Sequence, residues 1–267
     1  MTDQNAAIAF SVADGIAVAT MQRPKQRNAF GPEFIADMKA ILDEVESRDD
    51  IRALILTGTD GVFCAGGDIK GMVERNKAAV PPDGMRQRLY YTNEWVQRFR
   101  NLDVPVIAAV DGPAFGGGFS LALCADFVLA SDRASFCSVF FRIGVIPDCG
   151  VLYTLPRIIG MQRAKQLMYT ARVVEADEAR NLGIVMDVHP ADELQDAAMD
   201  LARQMTNASP TAFSITKRVV NQAFDNDASG LLEMEAAGQA ICLSSDYHKD
   251  AVDRFVAKKP LKFIWQA

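Results

Sequence analysis

Two stretches of this chain place glycines immediately before segments that read as helical. They are VFCAGGDIKG at residues 62–71 and AFGGGFSLALCAD at residues 114–126. Glycine in such a place has three physical uses. It can supply a tight strand-to-helix turn, or it can form a dinucleotide fingerprint. In the third, a backbone N–H at a helix N-terminus meets an approaching carbonyl unobstructed, and two such donors converging on one oxygen form an oxyanion hole. The fingerprint fails on spacing, because Gly112, Gly116, Gly117 and Gly118 do not make G-x-G-x-x-G, and no Walker Gly-Lys-Ser or Gly-Lys-Thr occurs. Turn and oxyanion hole both remain open on spacing alone.

An oxyanion hole makes neighbouring protons acidic, but a base must still move them. Asp148, in IGVIPDCG, has two readings. After Pro147 and before a helix-like segment it fits an N-cap, ionised and inert. Its apolar company (Val139, Phe140, Phe141, Val145, Ile146, Tyr153) would instead raise a carboxyl's pKa toward a useful range. Asp68 reads as a helix cap, and Asp111 and Asp126 as ties at the two ends of the glycine-rich helix. Ser120 has no G-x-S-x-G around it and no histidine for a triad. His189 and His248 read as surface residues, and no Cys/His cluster suggests a metal.

The elements that must position these groups alternate. Residues 15–21 read as a strand, 32–47 as an amphipathic helix with Pro32 in its first turn, and 53–57 as a strand buried on both faces. A helix over 86–100, a strand over 106–110 and further strands over 127–130 and 134–136 follow. This order predicts an α/β architecture. Residues 76–84, with two prolines, read as a mobile loop. After residue 190 the strand signals stop, and 191–206, 210–224, 231–243 and 246–257 read as helices, with a break at 226–230. The expected organisation is a core over 1–190 and a helical region over 191–267.

Composition fits a soluble enzyme-sized protein: 267 residues, 49% hydrophobic, 23% charged, net charge −6. No basic footprint suggests nucleic acid. No stretch is long and apolar enough to span a bilayer, and the N-terminal residues lack a signal-peptide pattern. Five cysteines without a CxxC pair read as reduced thiols. The expectation is a cytoplasmic protein that binds neither membrane nor nucleic acid.

AFGGGFSLALCADFVLAS, VFCAGGDIKGM and FRIGVIPDCGVLYTLPRIIGMQRAKQLMYTAR together resemble the crotonase, or enoyl-CoA hydratase/isomerase, superfamily, and ARNLGIVMDV and AVDRFVAKK match its later landmarks. The resemblance covers nearly the whole chain in the right order. It implies a spiral of β-β-α turns with a C-terminal helical trimerisation region, assembled as a trimer or a dimer of trimers. It further implies that Gly67 and Gly117 hold the thioester oxygen of an acyl-CoA, and that no cofactor is needed beyond the coenzyme A carried by the substrate. Ser120 and Phe140 stand where relatives of the hydratase type carry two glutamates, so hydration by the two-glutamate route is not expected. An acid at the position of Asp148 is similar to the single-aspartate isomerase branch, and the Ile-Pro-Asp-Cys-Gly run is similar to that of 1,2-epoxyphenylacetyl-CoA isomerases. Matching positions imply Lys25 and Arg27 near the phosphates, and Ala65 and Ile69 at the adenine and pantetheine entrance. The resemblance also implies Phe140 at the acyl site, and Phe255 and Lys258 reaching a neighbouring subunit's nucleotide. The expected activity is enoyl-CoA double-bond isomerisation with Asp148 as proton shuttle. A hydratase or hydrolase using Asp148 with water, and a non-catalytic acyl-CoA binder, are the alternatives.

Overall fold

The computed structural model describes residues 6–265. The chain begins with strands β1 (Ile8–Ala13) and β2 (Ile16–Met21), then helix α1 (Pro32–Ser47), strand β3 (Ala53–Gly58) and helices α2 (Ile69–Lys77) and α3 (Pro82–Arg100). Next come β4 (Val106–Val110), β5 (Pro113–Phe115), α4 (Gly117–Ala122), β6 (Phe127–Ser131) and β7 (Ser135–Cys137). Helices α5 (Val151–Ile159) and α6 (Met161–Thr170), strand β8 (Val174–Glu175), helix α7 (Ala176–Asn181) and strand β9 (Asp187–His189) complete this part. Four helices close the chain: α8 (Leu194–Thr206), α9 (Pro210–Val220), α10 (Ala228–Ser244) and α11 (Asp246–Val256).

A six-stranded sheet runs in the order β1-β2-β3-β4-β6-β9. Only the β1–β2 hairpin is antiparallel; every later pairing in that sheet is parallel. A second, smaller sheet is built from β5, β7 and β8. Isolated parallel bridges, Phe30 to Gly67 and Cys64 to Ala114, extend its ladder toward the start of the chain. Successive passes therefore add a long strand to one sheet and a short one to the other before a helix returns the chain. This is the expected spiral of β-β-α turns.

The parallel strands are apolar throughout because both faces are covered. Leu54, Leu56, Val106 and Ala108 face a core shared with Phe30, Phe34, Met38 and Trp95. Ile55, Ile107, Ala109 and Leu129 face the other way, onto Leu194, Ala198, Leu201 and Met205 of α8. Helix α8 thus packs on the chain's own sheet. Helices α9–α11, with the turn after α9, leave Phe224, Leu232, Ile241, Phe255 and Val256 exposed.

Two local expectations differ from the structure, and one strand has no counterpart among the expected elements. Strand β1 escapes the sequence pattern, since it pairs only with β2 at the sheet edge. The expected mobile loop over 76–84 shrinks to a four-residue connection, 78–81, because Pro82 starts α3, where a missing N–H costs nothing. Asp111 and Asp126 do not cap α4. Asp111 pairs with Arg133, and Asp126 accepts the Val106 N–H and the Lys217 ammonium, tying β4 to α9.

Candidate active site

The first glycine loop is held from below by Asn28, a buried residue at φ 50°. Its amide nitrogen donates to the carbonyls of Val62 and Phe63, both at 2.9 Å, and its oxygen accepts from Arg23 N. The Cys64 thiol donates to the Asn28 carbonyl, Ala65 N to Arg27 O, and Phe30 N to Gly66 O at 2.7 Å. Burial pushes the Cys64 thiol up to about 12, so it remains a neutral donor. The loop then zips onto the second cluster: Phe115 N donates to Cys64 O, and Cys64 N to Pro113 O.

The two clusters touch. Gly66 sits at φ +81°, and a Cβ there would lie 2.3 Å from Gly117 N. Gly116, at φ 53° and ψ −124°, adopts a conformation that side chains rarely tolerate, and it launches α4 at Gly117. The N–H groups of Gly67 and Gly117 have no acceptor among the described residues. Both glycines line one cavity of about 100 Å³ with Phe30, Ala65, Phe140 and Asp148. This arrangement can hold a carbonyl oxygen between two backbone donors.

Asp148 is not an N-cap. Helix α5 begins at Val151 behind Gly150, and no side chain caps it; only the Asp148 carbonyl accepts from Val151 N. Cys149 (φ 53°) and Gly150 (φ 84°) are both left-handed, so the chain reverses sharply and leaves the Asp148 carboxyl on the cavity wall. Burial pushes that carboxyl above the ordinary aspartate range. The adjoining Cys149 thiol and the positive charge of Arg88 oppose the rise. Burial and the adjoining Asp148 charge push the Cys149 thiol far up, so it stays protonated. Among the described residues, Asp148 is the only carboxylate lining this cavity or the adjoining one, of about 760 Å³, which shares Ile69, Met72, Arg88 and Leu89 with it.

Ser120 is fully buried, and its hydroxyl donates back to the Gly116 carbonyl, so it lines neither cavity. Phe140 is buried and forms cavity wall. Asp68 caps α2 through Lys70 N and Gly71 N. Ala65 and Ile69 line the small cavity. Lys25 and Arg27 are exposed on the turn that carries Asn28, and Arg27 meets the glycine loop through Ala65. Phe255 and Lys258 are exposed at the end of α11 and line neither cavity within one chain. His189 and His248 are half-buried rather than at the open surface, and remote from both cavities. Among the described residues no His, Cys, Asp and Glu group could hold a metal ion. Sequence reasoning passed over Asn28, Arg88 and Cys149. Only the left-handed preference of Asn in a turn could have drawn attention to the first; a cysteine beside an aspartate and an arginine on a helix give no local signal.

The family model for enoyl-CoA hydratase/isomerase matches residues 11–266. The chain belongs to the enoyl-CoA hydratase/isomerase family. It is similar to a 1,2-epoxyphenylacetyl-CoA isomerase of Escherichia coli, at 34% identity over 252 residues, covering 94% of this chain and 96% of the relative. It is equally similar to a short-chain-enoyl-CoA hydratase of Clostridium acetobutylicum, at 34% identity over 248 residues, covering 92% and 93%. Its fold matches the crystal structure of an enoyl-CoA hydratase/isomerase from Cupriavidus metallidurans with a TM-score of 0.93, at 38% identity, covering 100% of this chain and 99% of the other. As a member of this family the chain is an acyl-CoA enzyme. Among the described residues no helix is long and apolar enough to cross a membrane.

Proposed function

We propose that this enzyme moves a carbon–carbon double bond in an enoyl-CoA, with Asp148 as its single proton carrier. The observation that supports the reading is the presence, among the described residues, of one carboxylate and no second on the walls of the cavity that holds Gly67 and Gly117. The thioester oxygen sits between the two free N–H groups, which stabilise the negative charge developing on enolisation. The Asp148 carboxylate removes a proton from the α-carbon of a 3-enoyl thioester, and the electron pair delocalises as a dienolate. The same carboxyl returns the proton to the γ-carbon, so one proton leaves and one arrives with no water consumed. Burial, by raising the carboxyl's pKa, strengthens the base without a metal or organic cofactor. Hydration asks a carboxylate to hold and activate water, and both positions that carry glutamates in hydratase-type relatives are closed here, by buried Ser120 and Phe140. The exposed apolar residues of α9–α11 support self-assembly, with Phe255 and Lys258 reaching the nucleotide of a neighbouring copy.

The test is a steady-state assay of wild type and Asp148→Asn on 3-enoyl-CoA and 2-enoyl-CoA thioesters, following isomerisation and hydration separately. Isomerisation should fall by roughly 10²–10⁴-fold in the variant, the contribution of a positioned acid–base group. Hydration as the dominant wild-type reaction, lost in the variant, would make Asp148 a water-activating base and overturn the proposal.

A further inference from the structure

The larger cavity is lined by two cations that make no ion pair within contact distance, although Asp68 lies near Arg75 and Asp148 near Arg88. Arg75 on α2 and Arg88 on α3 both line it, and neither guanidinium has an ion pair or a side-chain hydrogen bond among the described residues. The Arg75 Nε is buried and unpartnered. Its guanidinium folds back over Gly71, where a Cβ would lie 2.9 Å from Nη1. Arg88 lines both cavities and stands where they join, whereas Arg75 lines only the larger one, away from Gly67 and Gly117. The remaining wall is largely apolar, with Met72, Val73, Met85, Leu89 and Ile146. An unpaired guanidinium N–H in such surroundings is costly, and two like charges facing one space add to the cost. Burial and the neighbouring Arg88 charge weaken the Arg75 proton affinity, and the Asp68 carboxylate only partly opposes them. A methyl-ended acyl chain filling this cavity would leave both groups unsatisfied. A carboxylate would satisfy both, by the fork geometry that arginine offers.

We infer that the acyl group accepted here carries a carboxylate at the end remote from the thioester, held by Arg75 and Arg88. The inference rests on the thioester placement of the proposed function, and it adds the substrate class: monothioesters of dicarboxylic acids.

Equilibrium binding of two saturated ligands that cannot isomerise, adipyl-CoA and hexanoyl-CoA, tests it. Adipyl-CoA should bind wild type about tenfold or more tightly than hexanoyl-CoA, the scale of a charge-assisted bidentate contact. Arg75→Met should remove most of that preference. Arg75 is the cleaner probe because Arg88 also acts on Asp148. Equal or tighter binding of hexanoyl-CoA, or a preference unchanged in both Arg75→Met and the Arg75→Met/Arg88→Met double variant, overturns the inference. So does a loss of affinity for free CoA matching the loss for adipyl-CoA, which would assign these cations to the nucleotide phosphates. Because neither ligand reacts, an absence of isomerase activity would count against the proposed function and leave the binding preference to be read by itself.

Discussion

Cys149, buried and in a left-handed conformation, sets its thiol beside the carboxylate of the residue before it, Asp148, and favours that carboxylate's charged form. The one acid in the cavity therefore has a built-in neighbour that partly offsets the effect of its burial. Arg88 acts in the same direction from α3. The balance leaves the carboxyl raised, with burial the largest cause.

A pH profile reads this balance directly. A base must be ionised, so kcat/KM should rise with pH through the Asp148 pKa, on a limb lying above the ordinary aspartate range. Removing the thiol in Cys149→Ala deletes a contact that favours the charged form. The pKa should then rise further and the limb move to higher pH, with the high-pH plateau falling less than the rate at acid pH. A limb that stays in place, or moves down, would show that the thiol does not hold the carboxylate.

The adjacent glycines Gly66 and Gly67 should respond very differently to alanine. At Gly67 a new methyl meets only the tip of Met72, at 2.5 Å, and that flexible chain can swing aside. At Gly66 it meets Gly117 N at 2.3 Å and Phe115 O at 2.9 Å, both backbone, on a residue already at φ +81°. Gly66→Ala should displace one oxyanion donor and lower kcat by about 10²–10³-fold, and it should destabilise by more than about 1 kcal/mol. Gly67→Ala should stay near wild-type stability. Denaturant unfolding of the pair, with kcat on the same preparations, decides it; equal stability losses would contradict the contact between the two clusters.

Asn28 is predicted to matter as much as a core hydrophobe. Asn28→Ala removes three hydrogen bonds and strands the buried carbonyl of Phe63. The expected loss is about 2–4 kcal/mol, two or three unmade bonds at roughly 1 kcal/mol each plus desolvation. Because the same contacts fix the loop carrying Ala65 to Gly67, kcat should fall as well. Asn28→Asp keeps an acceptor for Arg23 N but sets a buried carboxylate oxygen against the Val62 and Phe63 carbonyls, and should destabilise at least as much as the alanine variant. A melting temperature within about 1 °C of wild type for the alanine variant would refute this account.

The α/β alternation, helix α1 with its proline start, the doubly buried strands and the helical end of the chain were all legible locally. Periodicity and apolar runs report burial wherever an element's own face sets the pattern. Strands β5 and β8 were harder to read, because two- and three-residue strands carry too little pattern, and β1 was passed over at the sheet edge, where most of its residues are only partly buried or exposed. The aspartates misled for a related reason. Composition places an acid near a helix end, but only packing selects its partner. Asp126 joined Lys217, ninety-one residues away, rather than the helix beside it.

What the sequence by itself determined is the set of groups available. Glycines stand where a backbone must be bare, and Asp148 stands among apolar neighbours. The tertiary structure alone decided that Gly66 presses against Gly117, that Asp148 caps nothing and faces the same space, and that Arg75 and Arg88 meet in the adjoining cavity. The physical reason is separation along the chain. Propensity and periodicity act within a few residues, whereas a site joining residues 28, 67, 88, 117 and 148 exists only once long-range packing has closed those loops.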